Sequence, residues 1–90
     1  MGIVALIIKV MPESPDTDLE AIKVSAKTHL KAAGAQNISF EENPVGFGLV
    51  ALMIKMAWPE EKETEIVEKI FLSIAGVSSV DIIDYRRALG

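Results

Sequence analysis

Two long apolar runs constrain what this 90-residue chain can fold into. Ile3–Met11 is rich in β-branched residues and broken only by Lys9, and Phe47–Trp58 is broken only by Gly48 and Lys55. Runs of this kind suit strands flanked by neighbours on both edges, where successive side chains are shielded on both faces. Neither approaches the roughly 20 residues that a membrane-spanning helix needs. No basic region precedes the first run in the manner of a secretory signal. The expectation is one soluble, cytoplasmic domain covering residues 1–90.

The segments between the runs read as two helices and two edge strands. Met11-Pro12-Glu13-Ser14-Pro15-Asp16 ends the first run, because two prolines fix φ and remove ladder donors. Thr17-Asp18-Leu19-Glu20 has the spacing of a capping box, with Thr17 as the cap and Glu20 reaching back. Leu19, Ile22, Ala26, Leu30 and Ala33 then recur at helical spacing, and Gly34 offers a left-handed stop. Gln36–Glu42 alternates about Ile38 and Phe40 as a half-buried edge strand, and Asn43-Pro44-Val45-Gly46 reads as a tight connection. Pro59 is expected to open a second helix, with Glu60 and Glu61 at its positive end, an Ile66, Ile70, Ile74 stripe flanked by Val67 and Phe71, and Gly76 at its close. Val77–Tyr85 alternates as a last strand, followed by a short tail, Arg86–Gly90.

The order βαββαβ predicts an α+β, ferredoxin-like sandwich: a four-stranded antiparallel sheet with two helices on one face. In that arrangement the first and third strands are central, which is where the two apolar runs fall. Alternation places Lys9 and Lys55 on the face away from the helices, together with Ala5, Ile7, Leu49, Ala51 and Met53, and it adds Ile83 and Tyr85. So apolar a face predicts cover by the tails and long side chains, a bulge that changes the parity, or weak self-association through the open sheet.

Composition closes off several function classes. A formal net charge of −4 is the reverse of a phosphate-neutralising footprint, which disfavours direct nucleic-acid binding. With no cysteine and one histidine, the chain has no disulfide framework and no Cys- or His-rich metal site. Any triad chemistry would have to use His29, which sits beside the apolar stripe of the first helix. Gly46-Phe47-Gly48 opens a strand rather than a helix and is no phosphate loop. Glu60, Glu61, Glu63 and Glu65 read as a solvated face, not a cation site. The central strands lack the mid-strand aromatics on which RNA-recognition sheets stack bases. The first loop carries acids where an acylphosphatase-type cradle needs a base. No metal, cofactor or covalent chemistry is expected.

Three segments, in order and spaced along nearly the whole chain, resemble one family. Ile8-Lys9-Val10-Met11-Pro12-Glu13-Ser14-Pro15-Asp16 is similar to the first strand and loop of archaeal elongation factor 1-beta. Asn43-Pro44-Val45-Gly46-Phe47-Gly48-Leu49 resembles its Pro-(Val/Ile)-(Gly/Ala)-(Phe/Tyr)-Gly-(Leu/Ile) hallmark, and Ile74–Val80 leading to Tyr85-Arg86-Arg87 resembles its ending.

The resemblance implies a guanine nucleotide exchange factor that accelerates GDP release from the elongation factor 1-alpha GTPase. Such a factor binds the nucleotide-free partner better than the loaded one. It also implies the site: Pro44, Gly46, Phe47 and Gly48, with Phe47 inserting into an apolar pocket of the partner, and Arg86 and Arg87 as the cationic end. Arg87 stands where eukaryotic relatives have a lysine that intrudes on the Mg²⁺ position. A planar guanidinium in place of a compact ammonium changes that contact. Val50 stands where relatives often place a lysine, and Pro59-Glu60-Glu61-Lys62 replaces a more Asp/Gly-rich turn. The alternative from another class is an ACT-like small-molecule-binding regulatory domain, which shares the element order.

Overall fold

A computed structural model describes residues 2–87. The elements are β1 (Ile3–Pro12), α1 (Leu19–Ala33), β2 (Gln36–Gly46), β3 (Leu49–Pro59), α2 (Glu65–Leu72) and β4 (Val77–Arg87). All neighbouring strands run antiparallel, in the order β2-β3-β1-β4, so the two apolar runs are the central strands. Alternation sorts their side chains. Val4, Leu6, Ile8 and Val10 of β1 and Leu52, Ile54, Met56 and Trp58 of β3 are buried on one face. There they pack with Ile22, Ala26 and Leu30 of α1 and Val67 and Phe71 of α2. Each of the Val, Leu, Ile, Met and Phe side chains among them contributes about 1.5–3 kcal/mol on leaving water. Among the described residues, no helix is long and apolar enough to cross a membrane.

The helix boundaries differ from the sequence reading. Asp18, not Thr17, caps α1, its Oδ1 accepting the N–H of Ala21 at 3.2 Å. Thr17 is diverted to the preceding loop, where its hydroxyl accepts the N–H of Ser14. Gly34 ends α1 in the left-handed region at φ 111°, as its position predicts. Pro59 does not open a helix. It closes β3 opposite Ile3, and α2 begins only at Glu65. With that later start the buried line is Val67 and Phe71, with Ile70 and Ile74 partly buried, while Ile66 turns outward. The helix ends at Leu72, and Gly76, at φ 93°, serves the turn into β4 instead.

Register shifts reshape the edges, two in the β1–β4 ladder and two in the β2–β3 ladder. Ile7 pairs with Asp84 but Ile8 with Ile82, so an extra residue in β4 flips the parity beyond it. Ile83 keeps its predicted outer face. Tyr85 is moved opposite the buried Leu6, away from that face, and Asp84 and Arg86 take its place opposite Ile7 and Ala5. Ala51 on the outer face is fully buried, so part of what the sequence suggested would be open is covered.

Candidate functional site

The described structure separates the predicted site residues into two groups. β2 does not stop at Glu42 but continues through Asn43, Pro44 and Val45 to Gly46, which pairs with Leu49. Pro44 is tolerated because β2 is an edge strand, where a missing N–H need not break a ladder. The connection is therefore the two residues Phe47 and Gly48. Phe47 is not the first residue of a strand, as the apolar run suggested, but the apex of a hairpin.

The backbone at this apex is unusual. Gly46, Phe47 and Gly48 have φ of 108°, 55° and 77°. Positive φ at both central residues is the requirement of a type I′ turn, the two-residue connection whose twist matches the flanking strands. Asn-Gly and Gly-Gly meet that requirement at little cost, whereas a bulky side chain in the left-handed region costs about 1–2 kcal/mol. Phe47 bears this cost while its ring is 100% exposed. Neither local preference nor packing within the chain accounts for a phenylalanine there. Val45 and Pro44 beside it are also exposed, making an apolar knob at one end of the sheet.

Behind the knob the hairpin is anchored to the helix layer. Lys23 of α1 reaches Glu42 of β2 at 2.8 Å and Glu20 at 2.7 Å. The hydrogen bond to Glu20, then that to Glu42, raises the lysine's pKa above its ordinary value. Val50, opposite Pro44, lies one pair into the ladder from the turn.

Arg86 and Arg87 are elsewhere. They belong to β4 rather than to a tail, and they pair with Ala5 and Val4 at the start of β1, whereas the hairpin lies beside the end of β1. The eight steps from Val4 to Pro12 separate the two ends by about 27 Å along the sheet. Successive strand residues point to opposite faces. Arg86 accordingly bridges to Asp84 at 3.0 Å on the outer face, and Arg87 lies 3.9 Å from Glu60. Both stay largely exposed. The remainder of the predicted tail, residues 88–90, is outside the described residues. A shallow groove on the outer face runs past Ile3, Ala5, Ile7, Lys55, Asp84 and Arg86.

Sequence reasoning missed the hairpin apex because an aromatic beside an apolar run reads as more strand. The Gly-x-Gly spacing between two strand patterns was the available signal. His29 is placed on the exposed side of α1, its Nδ1 2.8 Å from the carbonyl oxygen of Ser25.

Comparison with known proteins gives a consistent result. Residues 5–88 match the family described as the EF-1 guanine nucleotide exchange domain. Elongation factor 1-beta of Methanosphaera stadtmanae is 41% identical over 90 residues, covering 99% of this chain and all of the relative. Elongation factor 1-beta of Methanobrevibacter smithii is 43% identical with the same coverage. That of Methanosphaerula palustris is 46% identical over 83 residues, 91% of this chain and 93% of the relative.

Proposed function

The chain belongs to the EF-1 guanine nucleotide exchange domain family, and from that premise we propose that it promotes GDP release from elongation factor 1-alpha during translation elongation. The observation that carries the mechanism is Phe47: a fully exposed ring held at positive φ on a two-residue turn. A rigid aromatic on a preformed turn loses little conformational entropy on docking, and burying it yields about 1.5–3 kcal/mol. If the receiving pocket opens only when the GTPase loosens its nucleotide, that energy favours the empty state and lowers the barrier to release. The work is differential binding and needs no covalent step, metal or cofactor of this chain's own; the guanine nucleotide and Mg²⁺ belong to the partner.

Arg87 supplies the second element of the reading. A guanidinium near the Mg²⁺ position competes with the ion for phosphate charge, because the metal's role there is to neutralise those oxygens. With Phe47 more than about 27 Å away, the partner is gripped at two separate patches. No direct nucleic-acid contact is part of this reading. Self-association is at most weak, through the outer sheet face where Ile3 and Ile83 remain exposed. Nothing in the comparisons speaks for the small-molecule regulatory alternative.

The test is release of fluorescent GDP from elongation factor 1-alpha of the same source. The unmodified chain accelerates release, and Phe47→Ala slows the stimulated rate at least about tenfold, the equivalent of about 1.4 kcal/mol. No acceleration by the unmodified chain would sink the reading.

A further inference from the structure

The Phe47 apex stands on a two-stranded ribbon rather than on the full sheet. The last pair in the β1–β3 ladder is Val10 with Leu52, and on the other side of β3 that same Leu52 pairs with Glu42. Beyond this point the register pairs β2 and β3 with each other alone, through Asn43 with Ala51, Pro44 with Val50 and Gly46 with Leu49. Ala51 is buried on the β3 arm, but the β2 arm is exposed at every residue from Glu41 to Gly46. A two-stranded ribbon has little independent stability in water, so its direction is set where it is rooted. The five residues from Glu42 to Phe47 make a lever of about 16 Å, and a pivot of about 10° at the root moves the ring by about 3 Å.

At that root, one side chain of the helix layer crosses to the ribbon. Lys23 Nζ donates to Glu42 Oε2 at 2.8 Å and to Glu20 Oε2 at 2.7 Å. Among the described residues, the contact with Glu42 is the only side-chain hydrogen bond or ion pair that any residue of β2 makes. Lys23 follows the buried Ile22, which fastens α1 to the core. Its side chain is only 22% exposed, so the stem lies along the protein and the ammonium is held between two carboxylates instead of sweeping through solvent. Glu20 holds that ammonium from the helix side, and Glu42 receives it on the sheet side.

We propose that Lys23 is a positioning residue: by joining α1 to Glu42 at the root of the ribbon, it fixes the direction in which Phe47 projects. This rests on the exchange reading above. When only a fraction of molecules present the ring correctly, apparent affinity falls by that fraction, while the rate once bound does not change. Lys23→Met keeps an apolar stem and removes the ammonium. It should raise the concentration giving half-maximal GDP release about two- to fourfold, the range that an exposed ion pair spans. The maximal rate at saturation stays the same. Lys23→Arg, whose planar fork suits carboxylates, should restore the unmodified concentration.

Residual dipolar couplings test the tie in the isolated domain, independently of exchange. In the unmodified chain the N–H couplings from Val45 to Leu49 should fit the same rigid alignment as those of β1. They should shrink in Lys23→Met and in Glu42→Ala, and stay unchanged in Glu20→Gln, which leaves the Lys23–Glu42 contact in place. Unchanged couplings in Lys23→Met overturn the proposal, even if the unmodified chain proves inactive in exchange and the functional reading fails by itself. An equal shrinkage in Glu20→Gln overturns it too, because the effect would then come through α1 and not through the tie. In a Phe47→Ala background, Lys23→Met should have no further effect on exchange. An equal loss in both backgrounds would also overturn the proposal, since Lys23 would then touch the partner directly.

Discussion

The indole N–H of Trp58 donates to the carbonyl oxygen of Lys62 at 3.2 Å, and the Lys62 ammonium in turn reaches the carbonyl oxygen of Ala33. One turn, Pro59–Lys62, thus ties the end of β3 to the last turn of α1, where a cation complements the helix dipole. The indole itself is fully buried.

Trp58→Phe should consequently cost about 1–3 kcal/mol, since it leaves the Lys62 carbonyl without its donor and removes ring volume from the core. Trp58→Ala should cost about 3–5 kcal/mol. For a domain of this size each kcal/mol lowers the Tm by about 4–8 °C, which circular dichroism at 222 nm will read. Trp58 lies at the end of the sheet remote from the hairpin. Below its lowered Tm, Trp58→Phe should therefore leave the Phe47 contribution to exchange unchanged, and any loss should fall on the Arg87 end, since Trp58 and Arg87 both pair with Val4. A loss of the Phe47→Ala effect in the Trp58→Phe background would contradict this placement.

Separation of Phe47 from Arg87 makes a second prediction. Residues this far apart, with no shared partner, act independently to within about 0.3–0.5 kcal/mol. The logarithmic losses in exchange rate from Phe47→Ala and Arg87→Ala should add in the double variant. If Arg87 works by displacing Mg²⁺, its substitution should matter less once the ion is chelated, whereas the Phe47 effect should be indifferent to Mg²⁺. Equal loss from Arg87→Ala with and without the metal would reassign that side chain to simple docking.

The shifted helix cap makes a third. Asp18→Ala should cost about 1 kcal/mol, because its carboxylate satisfies an otherwise orphaned N–H. Glu20→Gln should cost under about 0.5 kcal/mol, since Glu20 makes only an exposed pair with Lys23 instead of closing a capping box. The Lys23 contribution is complete below the ordinary lysine value of 10.5 and is lost as pH rises through its raised folded value. Urea midpoints at pH 6 and pH 8 should therefore agree with respect to this group. A larger loss from Glu20→Gln than from Asp18→Ala would restore the box.

The periodic features were legible in the sequence, and the aperiodic ones were not. Strand order followed from which runs were continuously apolar, and the β1 and β3 core followed from alternation, because burial acts at every second residue. Gly34 declared itself through the left-handed stop. Ile83–Asp84 and Val45–Gly46 did not, because a bulge adds one residue without altering composition, yet it reverses every side chain beyond it, as Tyr85 shows. Pro59 misled because proline suits both a helix start and the end of a strand. The distance between Phe47 and Arg87 was implicit in antiparallel topology: β3 begins at the end of the sheet where β4 also begins, so the last residues of β4 must lie at the other.

The turn at Phe47 also sets stability against function. Asparagine is among the few residues that enter the left-handed region readily, and Asn-Gly is a favoured type I′ pair. Phe47→Asn keeps Gly48 and removes a fully exposed ring that makes no contribution to the core. It should raise stability by about 0.5–1.5 kcal/mol, or several degrees in Tm, by relieving the left-handed cost of a bulky side chain. The same substitution should slow stimulated GDP release at least as much as Phe47→Ala, because asparagine brings a polar tip to an apolar pocket. Stability and exchange would thus move in opposite directions from one residue, the pattern expected where a strained backbone is kept for its function. A Phe47→Asn variant that is both less stable and undiminished in exchange would show that the ring is held for packing.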